Sequence, residues 1–161
     1  MSIGKSHKLL ATGAEVSNFR LPLLEGGEAS LHEIVAKGPA LLAFFKVSCP
    51  VCQLTLPFLE RLRAGSLPVY AISQNNTRDT RQFNKGFGIA LPTLLDSEKE
   101  GYPVSNAFGI SYVPTMFLIE PDRTISQVVE GWRKSEIGRF GELAGINPFH
   151  AGESVPEAKA G

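Results

Sequence analysis

Apolar residues run unbroken from Ala40 to Phe45, a length and uniformity that predict a buried strand. Directly after it the period changes. Val51, Leu54, Phe58 and Leu62 recur at helical spacing, which predicts a helix from Pro50 to about Arg63 that Gly65-Ser66-Leu67-Pro68 then interrupts. Upstream, Phe19, Leu21 and Leu23 alternate as a half-buried strand up to Glu25-Gly26-Gly27, where the glycines suit a hairpin turn, and Ala29 to Leu31 returns. Ser30 with Glu33 three positions on is a capping-box pattern for a short helix over His32 to Ala36, closed by Gly38-Pro39.

The remaining pattern continues the alternation of strands and helices. Val69 to Ile72 suits a central parallel strand, and Thr77 to Phe87 a helix with Phe83 and Phe87 on its apolar side, terminated around Gly86 and Gly88. Pro92 to Leu95 reads as a short strand, Asp96 to Gly101 as a polar loop, and Val104 to Phe108 as a brief helix ending at Gly109. Thr115 to Ile119 and Ile125 to Val129 flank the turn Glu120-Pro121-Asp122-Arg123 and predict a β-hairpin. Ser135 to Gly145 carries Ile137, Phe140 and Leu143 as an amphipathic closing helix. The stripes at Phe83/Phe87 and Ile137/Phe140/Leu143 are expected in the core. Strands alternating with helices predict a sheet covered on both faces, an α/β/α sandwich of three layers. Residues 1–13 are expected as a flexible segment, 14–147 as one domain and 148–161 as a disordered tail of small and polar residues.

Composition narrows the function classes. With 161 residues, 43% of them hydrophobic, the chain can bury a substantial core. Lysine plus arginine balances aspartate plus glutamate at 16 each, so no field of one sign draws nucleic acid or an anionic membrane to it. No run approaches the roughly 18 apolar residues of a membrane helix. Met1 to Gly13 lacks the apolar centre of a secretory signal, which makes the cytoplasm the expected compartment. Arg61, Arg63, Arg78 and Arg81 are expected on solvated faces.

The chemistry concentrates in Cys49-Pro50-Val51-Cys52, which holds both cysteines at the junction of the buried strand and the helix. Pro50 suits the first helical position, placing Cys49 at the N-cap among unpaired N–H groups, a position that favours a thiolate. Two cysteines so close constrain little as a staple, and a CxxC is more often redox-active or metal-binding. Zinc needs about four ligands. The chain offers two cysteines and the scattered His7, His32 and His150, so neither a metal nor another cofactor is expected, and the histidines are expected on the surface.

Cys49-Pro50-Val51-Cys52 after a buried strand, with Val113-Pro114-Thr115 opening a later hairpin, resembles the thioredoxin superfamily. The extra βα unit over Ile72 to Leu95 and the N-terminal hairpin resemble its TlpA-like and redoxin (AhpC/TSA) branch. Pro57, eight positions after Cys49, falls where thioredoxins carry a helix-kinking proline. The resemblance implies a thioredoxin-like sandwich with a mixed sheet and a thiol:disulfide oxidoreductase acting on protein dithiols and disulfides, with an unidentified electron donor or acceptor. It implies that Cys49 attacks a substrate disulfide, that Cys52 resolves the mixed disulfide, and that Pro114 is cis beside the cysteines. Val113 would pair with the substrate backbone, and Ser48, Pro50 and Thr115 would line the approach. Lys46, three residues before Cys49, is a candidate for stabilising the thiolate.

This chain also departs from that pattern. Ser48 stands where the TlpA-like branch usually has tryptophan, and Thr55 where many members carry a glutamate that manages the thiol protons; the only tryptophan is Trp132. Ala40 to Phe45 holds no carboxylate, leaving Glu120, at the far end of the proline-led strand, as the substitute candidate. Proton transfer is then expected to rely on water. A thiol peroxidase of the peroxiredoxin type is the alternative enzyme. Its Pro-x-x-x-Thr/Ser-x-x-Cys motif fails in both frames, with Cys49 and Phe45 in one and Lys46 and Leu42 in the other. The non-enzyme alternative is a redox-sensing binding module that exchanges once with a partner.

Overall fold

The computed structural model describes residues 8–161. Its centre is the strand β3 (Ala40–Phe45), every residue of which is buried. Because side chains alternate across a strand, Leu41, Ala43 and Phe45 enter one hydrophobic cluster and Ala40, Leu42 and Phe44 the other. On one flank β3 pairs in parallel with β4 (Val69–Ser73), which pairs in parallel with β5 (Thr93–Leu95). On the other flank it pairs antiparallel with β6 (Thr115–Ile119), which pairs antiparallel with β7 (Ile125–Glu130). The order β5-β4-β3-β6-β7 is the mixed five-stranded sheet expected of the sandwich.

Helices cover both faces. The helices α2 (Pro50–Arg61), α3 (Thr77–Phe87) and α5 (Lys134–Ala144) supply Leu56, Leu59, Phe83, Ile137 and Phe140 to the first cluster. On the second face lie α1 (Leu31–Ile34), α4 (Pro103–Phe108) and the hairpin of β1 (Arg20–Pro22) with β2 (Glu28–Ser30). There Phe108 packs on both Phe44 and Phe117, with ring centroids 5.0 and 4.7 Å away, each such ring stabilising the fold by about 1.5–3 kcal/mol through burial. The capping box forms as predicted: Glu33 N–H donates to Ser30 Oγ, and Ser30 N–H donates to Glu33 Oε1. Among the described residues no helix is long and apolar enough to cross a membrane.

Several expectations are corrected. The helix after Pro50 leaves α geometry at Arg61 and tightens into a 3-10 turn over Leu62–Ala64. Phe87 and Leu143 are 40% and 50% exposed rather than core, because the buried face of α3 runs through Thr80, Phe83 and Asn84 and that of α5 through Ile137, Phe140, Gly141 and Ala144, leaving both side chains off it. Of the N-terminal segment 1–13, residues 1–7 lie outside the described residues. Residues 8–13 are bonded into the fold, with Leu10 N–H donating to Phe108 O and Gly13 N–H to Ile125 O.

The largest difference concerns residues 148–161, expected as a disordered tail. They are held on the fold instead, ending in β9 (Ala158–Lys159), which pairs antiparallel with β8 (Trp132–Arg133) as a separate two-stranded sheet. Phe149 packs on Phe58 with centroids 5.7 Å apart, and Val155 lies against the first cluster. Isolated apolar residues at Phe149 and Val155 carry no periodic signal, so only the folded partner surface reveals their burial.

Candidate active site

The sheet register builds the site. Phe44 is paired with Thr115 across the antiparallel β3/β6 ladder, so the end of β3, which leads into the cysteines, lies beside the start of β6, which carries Pro114. The two sequence motifs thereby meet. The Val113–Pro114 peptide bond is cis.

Cys49 is the N-cap of α2 with extended backbone (φ −86°, ψ 115°), and Pro50 occupies the first turn, where a proline leaves no donor unmatched. The Cys52 N–H donates to Cys49 Sγ at 3.1 Å, and Cys49 Sγ donates in turn to the Val113 carbonyl at 3.4 Å. The Cys49 sulfur thus sits between the start of the helix and the loop before Pro114. It is half-buried, whereas Cys52 one turn on is fully buried, and both thiols are free. Burial, and then the hydrogen bond with Cys49, push the Cys52 thiol well above its ordinary value, while a backbone hydrogen bond at Lys46 and the Lys46 charge act weakly the other way. The pair is therefore asymmetric: one sulfur at a helix N-terminus reachable from solvent, one held neutral beneath it.

The other predicted site residues divide. Ser48, Pro50 and Lys46 are exposed around Cys49, and Val113 is half-buried beside it. Thr115 is buried, donating from Oγ1 to Tyr112 O at 2.8 Å, so it braces the loop and presents no surface to a substrate. Thr55 is buried with Oγ1 donating to Val51 O at 2.7 Å, a bond within α2. Glu120 lies at the opposite end of β6 from Pro114 and accepts from Ser126 Oγ, so it does not serve the sulfurs. Trp132 is fully buried, packs on Phe58 at 5.0 Å and donates from Nε1 to Pro156 O at 2.6 Å. His32 and His150 are exposed, as expected; His7 lies outside the described residues. Among the described residues no three His, Cys, Asp or Glu side chains converge to hold a metal ion.

Structure adds residues that sequence patterns missed. Asn75 Oδ1 accepts from Val47 N–H at 2.9 Å and Gln53 Nε2 donates to Val47 O at 3.1 Å, pinning the loop before Cys49 from two sides. Arg61, expected on a solvated face, is half-buried and forms a bidentate pair with Glu153, both bonds 2.8 Å, besides donating to Pro148 O. That guanidinium, aided by the His150 N–H, holds the Glu153 carboxyl at about 2, well below its ordinary 4.5. No local signal marks these residues, since Asn75 and Glu153 are 28 and 92 positions from their partners.

Comparison with known proteins agrees with this geometry. The model of the AhpC/TSA family matches residues 12–128. The thiol-disulfide oxidoreductase ResA of Halalkalibacterium halodurans is 31% identical over 141 residues, covering 84% of this chain and 78% of that one. ResA of Bacillus subtilis is 25% identical over 127 residues, or 76% of this chain and 69% of its own length. Among solved structures, the thioredoxin domain of a thiol-disulfide oxidoreductase from Bacteroides vulgatus superposes with a TM-score of 0.72 at 19% identity, covering 83% of this chain and 97% of that one. StoA from Bacillus subtilis superposes with a TM-score of 0.64 at 22% identity, covering 78% and 95%. At those identities the structural likeness shows the fold.

Proposed function

Since the chain belongs to the AhpC/TSA family, we propose that it is a thiol-disulfide oxidoreductase acting on protein thiols through Cys49 and Cys52. The observation that carries the reading is the asymmetry of the two sulfurs: Cys49 reachable at the N-cap of α2, Cys52 buried one turn below it. A helix N-terminus accommodates a negative sulfur through its free N–H groups.

In the reducing direction the Cys49 thiolate attacks one sulfur of a substrate disulfide, forming a Cys49–substrate bond and releasing the other substrate sulfur as a thiolate. Cys52, once deprotonated, attacks the Cys49 sulfur, closing the Cys49–Cys52 disulfide and releasing the second substrate thiol. Two electrons and two protons pass to the substrate, and a dithiol partner restores the couple; oxidation runs the same steps backwards. The Cys52 N–H that reaches Cys49 Sγ stabilises the charge that starts the cycle. The proton on Cys52 is the one that must move before closure, and with Thr55 in place of a carboxylate, water arriving after substrate binding is its acceptor. Val113 and Pro114 frame the approach, and the Val113 backbone is the edge with which an extended substrate segment pairs.

Reduction of insulin by a dithiol tests this. Wild type is expected to accelerate it, Cys49→Ser to give the uncatalysed rate, and peroxide consumption to remain at background. Equal activity of Cys49→Ser and wild type would remove the assignment.

A further inference from the structure

The tail has two parts of different character. Residues 148–156 are anchored: Pro148 is buried, Phe149 and Val155 pack on the first cluster, Pro156 O accepts from Trp132, and Glu153 is clamped by Arg61. Residues 157–161 are all exposed. They are held by main-chain pairing of Trp132 with Lys159 and Arg133 with Ala158, and by the Lys134 N–H donating to Glu157 O. Two paired residues without side-chain burial form a marginal strand.

This second part runs to the cysteines. Gly131, at φ +75°, lies so close beneath it that an added Cβ would stand 3.2 Å from Gly161 N. A Cβ on Gly161 would stand 2.9 Å from the Val113 carbonyl carbon and 3.4 Å from Pro114 N. The Val113 carbonyl is the group to which Cys49 Sγ donates. An extended piece of this chain therefore occupies the backbone edge that the proposed function gives to an extended substrate, and both cannot lie there together.

We propose that residues 157–161 are a specificity-determining strap: a substrate segment reaches Cys49 by replacing the strap along Arg133, Gly131 and Val113. This rests on the reading of Val113 as the substrate-pairing residue. The strap competes with extended protein segments that pair main chain with main chain, so it scales their apparent affinity down to the fraction of time it is open. A small disulfide that needs no such pairing is little affected. The weak pairing keeps the strap displaceable, while the Arg61–Glu153 clamp keeps it local.

The test compares wild type, a variant lacking residues 157–161, and Gly161→Val, which crowds Val113 without shortening the chain. All are assayed for kcat/KM with insulin and with oxidised glutathione, alongside thermal unfolding. The truncation retains Pro156 and the core anchors. It is expected to raise kcat/KM for insulin by about threefold to tenfold, to change that for glutathione disulfide by less than about twofold, and to leave Tm near wild type. Gly161→Val is expected to move insulin turnover in the same direction by less, and it decides the matter if the truncation unfolds. Insulin turnover that is unchanged or lower in a folded variant overturns the strap while leaving the oxidoreductase reading intact, as does equal acceleration of both substrates. Absence of turnover in every form, wild type included, overturns both.

Discussion

The two ends of α2 do different work, and the contrast lies in where their partners come from. At the N-terminal end, Cys49 caps the helix, Pro50 starts it, and Cys52 returns an N–H to the Cys49 sulfur, all within four residues. At the C-terminal end, Phe58 packs on both Trp132 and Phe149, and Arg61 grips Glu153 across 92 positions of sequence. The first end is chemistry built from local sequence. The second is architecture built from distant sequence, and it fixes the segment whose residues 157–161 lie beside the first. A helix can thus present a reactive sulfur while its far end controls what covers it.

The contrast can be broken most strongly at the cysteines. Cys49→Ser is expected to lower kcat/KM for disulfide reduction by roughly a thousandfold or more without lowering Tm, since it removes a half-buried sulfur and leaves a capping hydroxyl. Its counterpart at the other end is Phe58→Ala, expected to cost about 3–5 kcal/mol in denaturant unfolding, because the ring is buried and packs on two aromatic partners. If Phe58→Ala spared stability but abolished turnover, the division of labour along α2 would be wrong.

A pH series sharpens the architectural end. The Glu153 carboxyl titrates at about 2 in the folded protein against an ordinary 4.5. Ion pairing therefore favours the folded state fully above pH 4.5 and loses this contribution as pH falls from there toward 2. Wild type is expected to exceed Glu153→Gln in Tm at pH 7, with the gap closing over that interval; a gap constant down to pH 2 would count against the clamp. The smallest expected effect is Leu143→Ala, within about 0.5 kcal/mol of wild type, since that side chain is half exposed.

The same contrast explains what the sequence made legible. Periodicity places β3, α2, β6 and the hairpin because each is set by burial along one continuous stretch, and the CxxC with Val113-Pro114 identifies the site because its chemistry is local. Arg61 misleads because a lone arginine on a helix is ordinarily solvated; its burial depends on Glu153, which no pattern near Arg61 predicts. Phe87 and Leu143 fit helical spacing, yet the buried faces of their helices run through Asn84 and Ala144 instead. The ordered tail was illegible for a related reason: its hold on the fold comes from single residues, Phe149, Glu153 and Pro156, each meeting a partner more than 20 positions away.

In the proposed cycle Cys49 makes the bond to substrate and Cys52 breaks it. Mixing Cys52→Ser with a protein disulfide and locating the adduct by mass spectrometry of the peptides tests it directly. A persistent mixed disulfide is expected on Cys49, released by added dithiol, and none on Cys52 in the matching Cys49→Ser variant, where the remaining thiol is buried and held protonated. An adduct on Cys52 in that variant, or none on Cys49 in Cys52→Ser, would contradict it.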